Sequence, residues 1–517
     1  MSALAVALLA LQVAPLVQLW RPDERVVLAD YSRVRALAAT PFHLYIATTG
    51  GLADWDRTAR RFDPPSSPLD GYPTARVRAA LAAPDGSLWL ATDLGWARYE
   101  PTLRRWDGGV IPGGVRDLAM DPRDPQAGIY LRSSREWLFL PSGSAIALPG
   151  LEPPPDASRP LSVEAAMRAE PAVDAMQSLL LSDETLRRYA LTAAARTPDR
   201  NELFLGTDGG GAVMIDLEML RAERLVFGLP GSSVAALAPG RGALWALLDQ
   251  RGGFARRGFA MVGEELQSMR WYEGRGGLPF ARGRAVAAYG RYLWAATDGG
   301  LLRLDPETGD VRMLGEADGL PGDDVRAVAA GAFGLVVGTR RGLAVVTEVE
   351  REARALGTTA GDAVLALLPW GDTVWVGLER GLGFVSSHGA DVLVPPGARD
   401  LPRLRMPVLA LTAIGDTVVA ATASEIFWRD PATSAWQPAR LVPFGSVVGL
   451  ASDERGLWVI GVDDVAHGSL GGEWWSRLAA PSDLPARPTS VVAGERWLWV
   501  GTERGLVRFD RAAIGRR

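Results

Sequence analysis

Near the end of the chain stands LWVGTERGLVRFD (Leu498–Asp510), and about two hundred residues earlier stands LWAATDGGLLRLD (Leu293–Asp305). Aligned on its opening apolar pair, the phrase recurs from Leu44, Leu88, Ile129, Leu203, Leu244, Leu293, Leu335, Val374, Val418, Leu457 and Leu498. The spacings are 44, 41, 74, 41, 49, 42, 39, 44, 39 and 41 residues, and a period near forty means a propeller or a solenoid. Each unit holds short runs rich in Val, Leu and Trp separated by turn residues, as strands do. Four such runs per period match one propeller blade. A helical solenoid would need two apolar helices per unit, and only one stretch offers any. The expected fold is all-β: a β-propeller of about eleven four-stranded repeats in two rings, with one small helical insertion. An intertwined pair of rings, or a single very large ring, is the alternative.

Within the phrase, the fourth position is small: Ala47, Ala91, Gly206, Ala296, Gly338, Gly377, Ala421 and Gly501. Small side chains there let neighbouring sheets approach. Thr follows at 48, 92, 207, 297, 339, 422 and 502, and Gly three residues later at 51, 95, 210, 300, 342 and 505. Thr can bond the turn backbone and Gly supplies positive φ, so both sets are read as structural. Between units lies a connector such as DGYP (Asp70–Pro73), DGLP (Asp318–Pro321) or SDLP (Ser482–Pro485), and a Val opens the next inner strand.

The segments GLPGDDV (Gly319–Val325) and LVVGTRRGLAVV (Leu335–Val346), with LWVGTERGLVRFD, resemble the two-component-regulator propeller repeat over most of residues 23–510. That family occurs in periplasmic sensor regions of bacterial hybrid kinases. The resemblance implies the propeller fold and says nothing of the ligand. It is weak in the third unit (IYLRSSREWLFL) and the ninth (VVAATASEIFWRD). Only RAAIGRR follows Asp510, so no kinase, no DNA-binding domain and no signalling in cis is expected.

Closure sets further expectations. The last unit has three strands, and residues near Arg25 to Ala29 have the phase of a missing outer strand, which would protect an open edge. The expected partition is residues 21–270 as a first propeller (repeats 1–5, carrying the insertion 153–190) and 271–517 as a second (repeats 6–11). In the insertion, Pro171 should split a helix whose apolar stripe is Val163, Met167, Val173, Met176, Leu179 and Leu180. It is read as a flap packed on a blade, with a partner-docking lid as the other reading.

Composition removes much chemistry. There is no Cys among the 517 residues, which excludes disulfides, thiolate nucleophiles and Cys-ligated zinc. All 55 basic residues are Arg, so a Schiff-base or P-loop lysine is impossible. Asn occurs once, at 201; Lys and Asn codons are AT-rich, which points to a GC-rich bacterial genome. The net charge of −5 provides no basic field for nucleic acid or an anionic membrane. Residues 1–20 carry no charge and read as a secretory signal, with a membrane anchor or a buried segment as alternatives. The mature chain is thus expected to be periplasmic or extracellular, or cytoplasmic if that run is not a signal, with no membrane span.

The three histidines, His43, His388 and His467, have no metal-binding spacing. SDERGLW (Ser452–Trp458) only approaches the Asp-box pattern, and the adjacent acids Asp323/Asp324 and Asp463/Asp464 read as solvated turn residues. No catalytic residue, cofactor or metal is assigned. The candidate binding surface is a rim of hairpin tips: Asp93, Asp208, Asp298, Arg340, Arg341, Glu379, Arg380, Glu503 and Arg504. Arg offers a planar fork to carboxylates, phosphates or sugar acids. The expected function is a non-catalytic exported module that binds an unknown protein or carbohydrate ligand. The alternative is a polysaccharide hydrolase or lyase using acidic residues.

Overall fold

The computed structural model describes residues 8–9, 11–12 and 20–516, apart from 183–185, 198–200, 250–257, 274–277, 279, 333, 348–352, 358, 360, 387–390, 399–400 and 440–444. His388 lies outside the described residues. The chain folds as eleven antiparallel sheets in sequence order, the blades of a β-propeller architecture. Their innermost strands are Val34–Ala39, Val77–Ala82, Asp117–Ala119, Leu191–Arg196, Val234–Pro239, Gly283–Tyr289, Val325–Gly331, Val364–Trp370, Ala410–Ile414, Val447–Ser452 and Pro488–Ala493. They head blades 1 to 11 below. Arg25–Leu28 is a strand with all four residues buried. No described helix is long and apolar enough to cross a membrane.

Two compact units are present, Met1–Leu229 with blades 1–4 and Pro230–Arg517 with blades 5–11. The boundary therefore falls about forty residues before the expected one at 270/271, and the partition is four and seven rather than five and six. The cause is a steric match between blades. A Cβ built on Gly338 of blade 7 would lie 2.4 Å from Val364 of blade 8, and one on Gly377 of blade 8 would lie 2.5 Å from the Val408 carbonyl that leads into blade 9. The same match closes each unit: Gly206 of blade 4 meets Val34 of blade 1 at 2.5 Å, and Gly501 of blade 11 meets Val234 of blade 5 at 2.8 Å. Thr489 Oγ1 also donates to the Val234 carbonyl at 2.7 Å. Blade 5 belongs with blade 11 because its first valine fills that blade's gap.

Alanine serves where the fit is looser. Ala47 and Val77, Ala91 and Val115, Ala296 and Val325, and Ala421 and Val447 each share one apolar cluster between consecutive blades. Blade 5 inverts the sizes: Leu247 occupies the small position, and blade 6 opens with Gly283, whose Cβ would strike Leu247 at 2.6 Å.

The Thr and Gly of each hairpin tip act as expected. Thr48, Thr92, Thr297, Thr339 and Thr502 each donate through Oγ1 to the carbonyl of the Gly three residues on, at 2.7–3.1 Å. In blade 4 the acceptor is Gly211, one residue later than expected. Gly95 has φ +155°, and a side chain there would collide with the Gly109 carbonyl at 2.0 Å.

The insertion forms short helices Val163–Ala169, Pro171–Ala175 and Gln177–Leu180, broken at Pro171 as expected. Ser162 caps the first by accepting from the Ala165 N–H at 3.1 Å. Ala166, Val173, Leu180 and Leu181 are buried against Ala194, Leu203, Leu205, Val213 and Ile215 of blade 4. The helices are a packed cover on that blade. Leu179, placed in the apolar stripe by sequence, is instead 72% exposed.

Gly283→Val should destabilise the second unit by about 1–3 kcal/mol through overpacking. Leu247→Ala in the same chain should recover part of that loss, because the two side chains compete for one space. Urea unfolding of both single variants and the double variant measures the coupling directly.

Candidate functional site

In every propeller blade the tip between the second and third strands returns to the end where the inner strand begins. Backbone bonds fix this: the N–H groups of Asp93, Asp208, Asp298, Arg340, Glu379 and Glu503 donate to the carbonyls of Arg76, Ala190, Arg282, Asp324, Ala363 and Arg487 at 2.9–3.2 Å. Each acceptor lies just ahead of an inner strand. Tips and connectors thus share one face within each unit. Of the nine rim candidates, Asp93 and Asp208 belong to the first unit and the other seven to the second.

A device the sequence did not reveal arms this face. In nine inner strands the second residue is bulged out of register with the neighbouring strand. Bulges re-aim a side chain. Four of these positions are arginines, Arg35, Arg78, Arg284 and Arg326, and each meets an acid of the same face. Arg78 grips Asp93 with Nε at 2.5 Å and Nη2 at 3.1 Å. The bond from Arg78 holds the Asp93 carboxyl below its ordinary range. In the second unit Arg284 pairs with Asp324 at 2.7 Å, and Arg326 bridges Asp324 and Glu379 at 3.2 Å each. Arg341 pairs with Glu316 at 2.8 Å and Arg380 with Asp362 at 3.1 Å. Asp298 accepts from the Ala281 and Arg282 N–H groups at 3.0 and 3.1 Å. Arg340 and Arg504 are exposed, and neither makes a side-chain hydrogen bond or ion pair among the described residues.

The first unit presents a concavity of about 350 Å³ on this face, lined by Arg35, Thr48, Thr49, Tyr72, Pro73, Thr74, Ala75, Arg76 and Val77. Tyr72 is buried and donates to the Thr48 carbonyl at 2.8 Å, which fixes one wall. Thr48 spends its hydroxyl on the tip turn. Thr74 and Arg76 are exposed, and Arg76 makes no side-chain hydrogen bond or ion pair among the described residues. Arg35 has only a long pairing with Asp208, 3.7 Å. Asp208 therefore flanks this pocket, and Asp93 touches it through the Arg76 carbonyl. Sequence reading found both acids and missed Arg35, Thr74 and Arg76. The signal for Arg35 was its place directly after the strand-opening Val34, repeated at Arg78 and Arg326.

The remaining acids and histidines are mostly structural. Asp463 pairs with Arg487 at 3.2 Å, Asp464 with Arg477, and Asp323 accepts the Glu316 N–H at 2.7 Å. His467 stacks on Trp458 with centroids 4.2 Å apart and lies 3.5 Å from Asp453. Asp453 also accepts the Trp458 indole N–H at 2.8 Å, so the SDERGLW turn is a folded acid-centred turn. His43, Asp54 and Asp63 of blade 1 converge from adjacent strands, which their spacing did not suggest.

No family model matches the chain, and no curated protein matches it. Among solved structures it is similar to the extracellular domain of BT4673 from B. thetaiotaomicron, described both as a hybrid two component and as a one component system. Each of those two structures has 16% identity over 92% of this chain and 70% of that one, with TM-scores of 0.42 and 0.43. The computationally designed Ika8 protein matches with 18% identity over 64% of this chain and 99% of its own, TM-score 0.41.

Two outcomes separate structural from free arginines. Arg57 has its side chain 1% exposed and bonds Thr40 and Pro41 carbonyls, Thr197 and Glu202 at 2.6–2.9 Å. Arg57→Ala should cost about 3 kcal/mol, since it strands Glu202, whereas Arg76→Ala should change stability by less than about 0.5 kcal/mol; chemical denaturation distinguishes them. Burial lowers the His467 pKa. The unfolded chain then takes that proton first, so stability should fall as pH drops below about 6.5. His467→Gln should flatten that part of the profile.

Proposed function

We propose that this chain is a recognition module that binds a small anionic ligand in the pocket of its first unit. The supporting observation is that concavity of about 350 Å³, where Arg76 makes no side-chain hydrogen bond or ion pair among the described residues and Arg35 stands 3.7 Å from Asp208. The size sits at the lower end of ligand pockets, which suits a sugar acid or a small dicarboxylate. Two guanidinium forks supply charge-assisted bonds to a carboxylate, Thr49 and Thr74 supply hydroxyls, and Tyr72 gives a rigid wall. The reading is non-catalytic. Asp324, Asp463 and Asp464 are held in ion pairs, which leaves the paired-carboxylate alternative without free acids at those positions. Export belongs to the same proposal and rests on the apolar run of residues 1–20.

A thermal-shift screen with uronic acids, neutral oligosaccharides, dicarboxylates and inorganic phosphate tests this. A ligand at a hundred times its dissociation constant adds about 2.7 kcal/mol to a two-state unfolding free energy. Arg35→Ala with Arg76→Ala should abolish the shift from the anionic hit, while Arg340→Ala, Arg341→Ala and Arg504→Ala together should preserve it. The reverse result would move the site to the tips of the second unit. A hit confined to neutral sugars would overturn the anionic reading.

A further inference from the structure

We propose that His43, Asp54 and Asp63 of blade 1 form a binding site for one divalent transition-metal ion, such as Zn²⁺. The three side chains come from three neighbouring strands, His43–Thr48, Leu52–Asp56 and Arg61–Ser66. Asp54 is cross-strand partner to both Tyr45 and Asp63, and His43 precedes Tyr45 by two residues, so all lie on one face of the sheet. One ligand atom from each of the three lies within 4.8 Å of the others.

Several features distinguish this from an ordinary surface acid. Asp54 is 9% exposed and faces a second carboxylate directly across strands, an arrangement that calls for positive charge; without a metal that charge comes from His43 at 2.9 Å and from Arg104. Asp63 makes no hydrogen bond or ion pair among the described residues, so its lone pairs are free. Arg104, whose charge reaches Asp54, donates instead to the Pro64 carbonyl. Asp56, on the same face, is occupied in capping the Thr58 and Ala59 N–H groups at 2.8 Å each.

The donor geometry is close to what an ion requires. His43 Nδ1 and Asp54 Oδ1 are 2.9 Å apart. Two ligands bound side by side at about 2.1 Å from a shared ion stand roughly 3.0–3.4 Å apart. Asp63 supplies the third ligand atom, within 4.8 Å of those of His43 and Asp54. Tyr45 stacks on His43 at 5.9 Å and is itself anchored to the Gly86 carbonyl at 3.0 Å, which holds the imidazole plane. One imidazole with two carboxylates favours Zn²⁺ or Mn²⁺ over Mg²⁺ and Ca²⁺, which prefer all-oxygen sets. Three protein ligands on a half-exposed face leave further positions for water.

The test is equilibrium dialysis of the full chain against Zn²⁺, with metal counted per chain, followed by competition with Mg²⁺ and Ca²⁺. One ion per chain is expected, displaced poorly by either competitor. His43→Gln and Asp63→Asn should each weaken binding by on the order of 10–100-fold or more, and His467→Gln should not. Both test residues are partly exposed, so these variants should fold, as checked by unchanged near-ultraviolet circular dichroism; Asp54→Asn carries less weight because it is buried. Co²⁺ absorption that vanishes in His43→Gln would assign the imidazole as a ligand. Absence of stoichiometric Zn²⁺, or Zn²⁺ bound equally by His43→Gln and Asp63→Asn, overturns the proposal.

Discussion

The contact between a small residue on the second strand of one blade and the first apolar residue of the next inner strand governs this structure. Blades packed around an axis are most crowded near that axis. A methyl group too many on both sides would force the sheets apart, and one too few would leave a void. The chain solves this with Gly against Val at four recorded junctions and Ala against Val at four more. It exchanges the sizes once, at Leu247 and Gly283. Which blade closes on which follows from these pairings, and so does the face that the tips and connectors share.

That face is armed by the start of each inner strand. The residue after the strand-opening position is bulged, and in four blades it is an arginine that reaches an acid of a tip or connector. Arg78, Arg284 and Arg326 are satisfied by close acids: Arg78 and Arg326 tie tip acids to inner strands, and Arg284 reaches Asp324 in the next connector. Arg35 differs only in that its acid, Asp208, stands 3.7 Å away. The same repeated position therefore yields a close ion pair in three blades and, at Arg35, a guanidinium that is only loosely held. The difference is made by the Tyr72–Arg76 connector, which opens a cavity instead of filling it.

Much of this was legible because a repeat announces itself. The period, the Thr–Gly tips, the small fourth position and the single helical insertion each have a local cause within a dozen residues. The partition was not legible, since every connector and every opening Val looks alike and only three-dimensional closure tells Val34 from Val234. The bulges were hidden for a related reason: they change register without changing composition. His43, Asp54 and Asp63 are separated by eleven and nine residues, an interval set by hairpin length in one blade and not by any motif. Leu179 was misplaced because a stripe drawn on one continuous helix does not survive the break at Pro171.

The helical insertion lies next to an exception to the size rule. In blade 3 the small fourth position is occupied by Arg132, which reaches over the Trp137 ring at 5.6 Å. At that junction the chain departs, pairing Ser158 with Met120 at the edge of blade 3, and lays its helices on blade 4. Ala166, Val173 and Leu180 then cover apolar residues of blade 4. A bulky residue at that position does not by itself call for an insertion, because blade 10 carries Ile460 there and passes directly to blade 11. The apolar packing of the first unit falls into one cluster between blades 1 and 2, one between blades 2 and 3, and one in which the helices join blade 4.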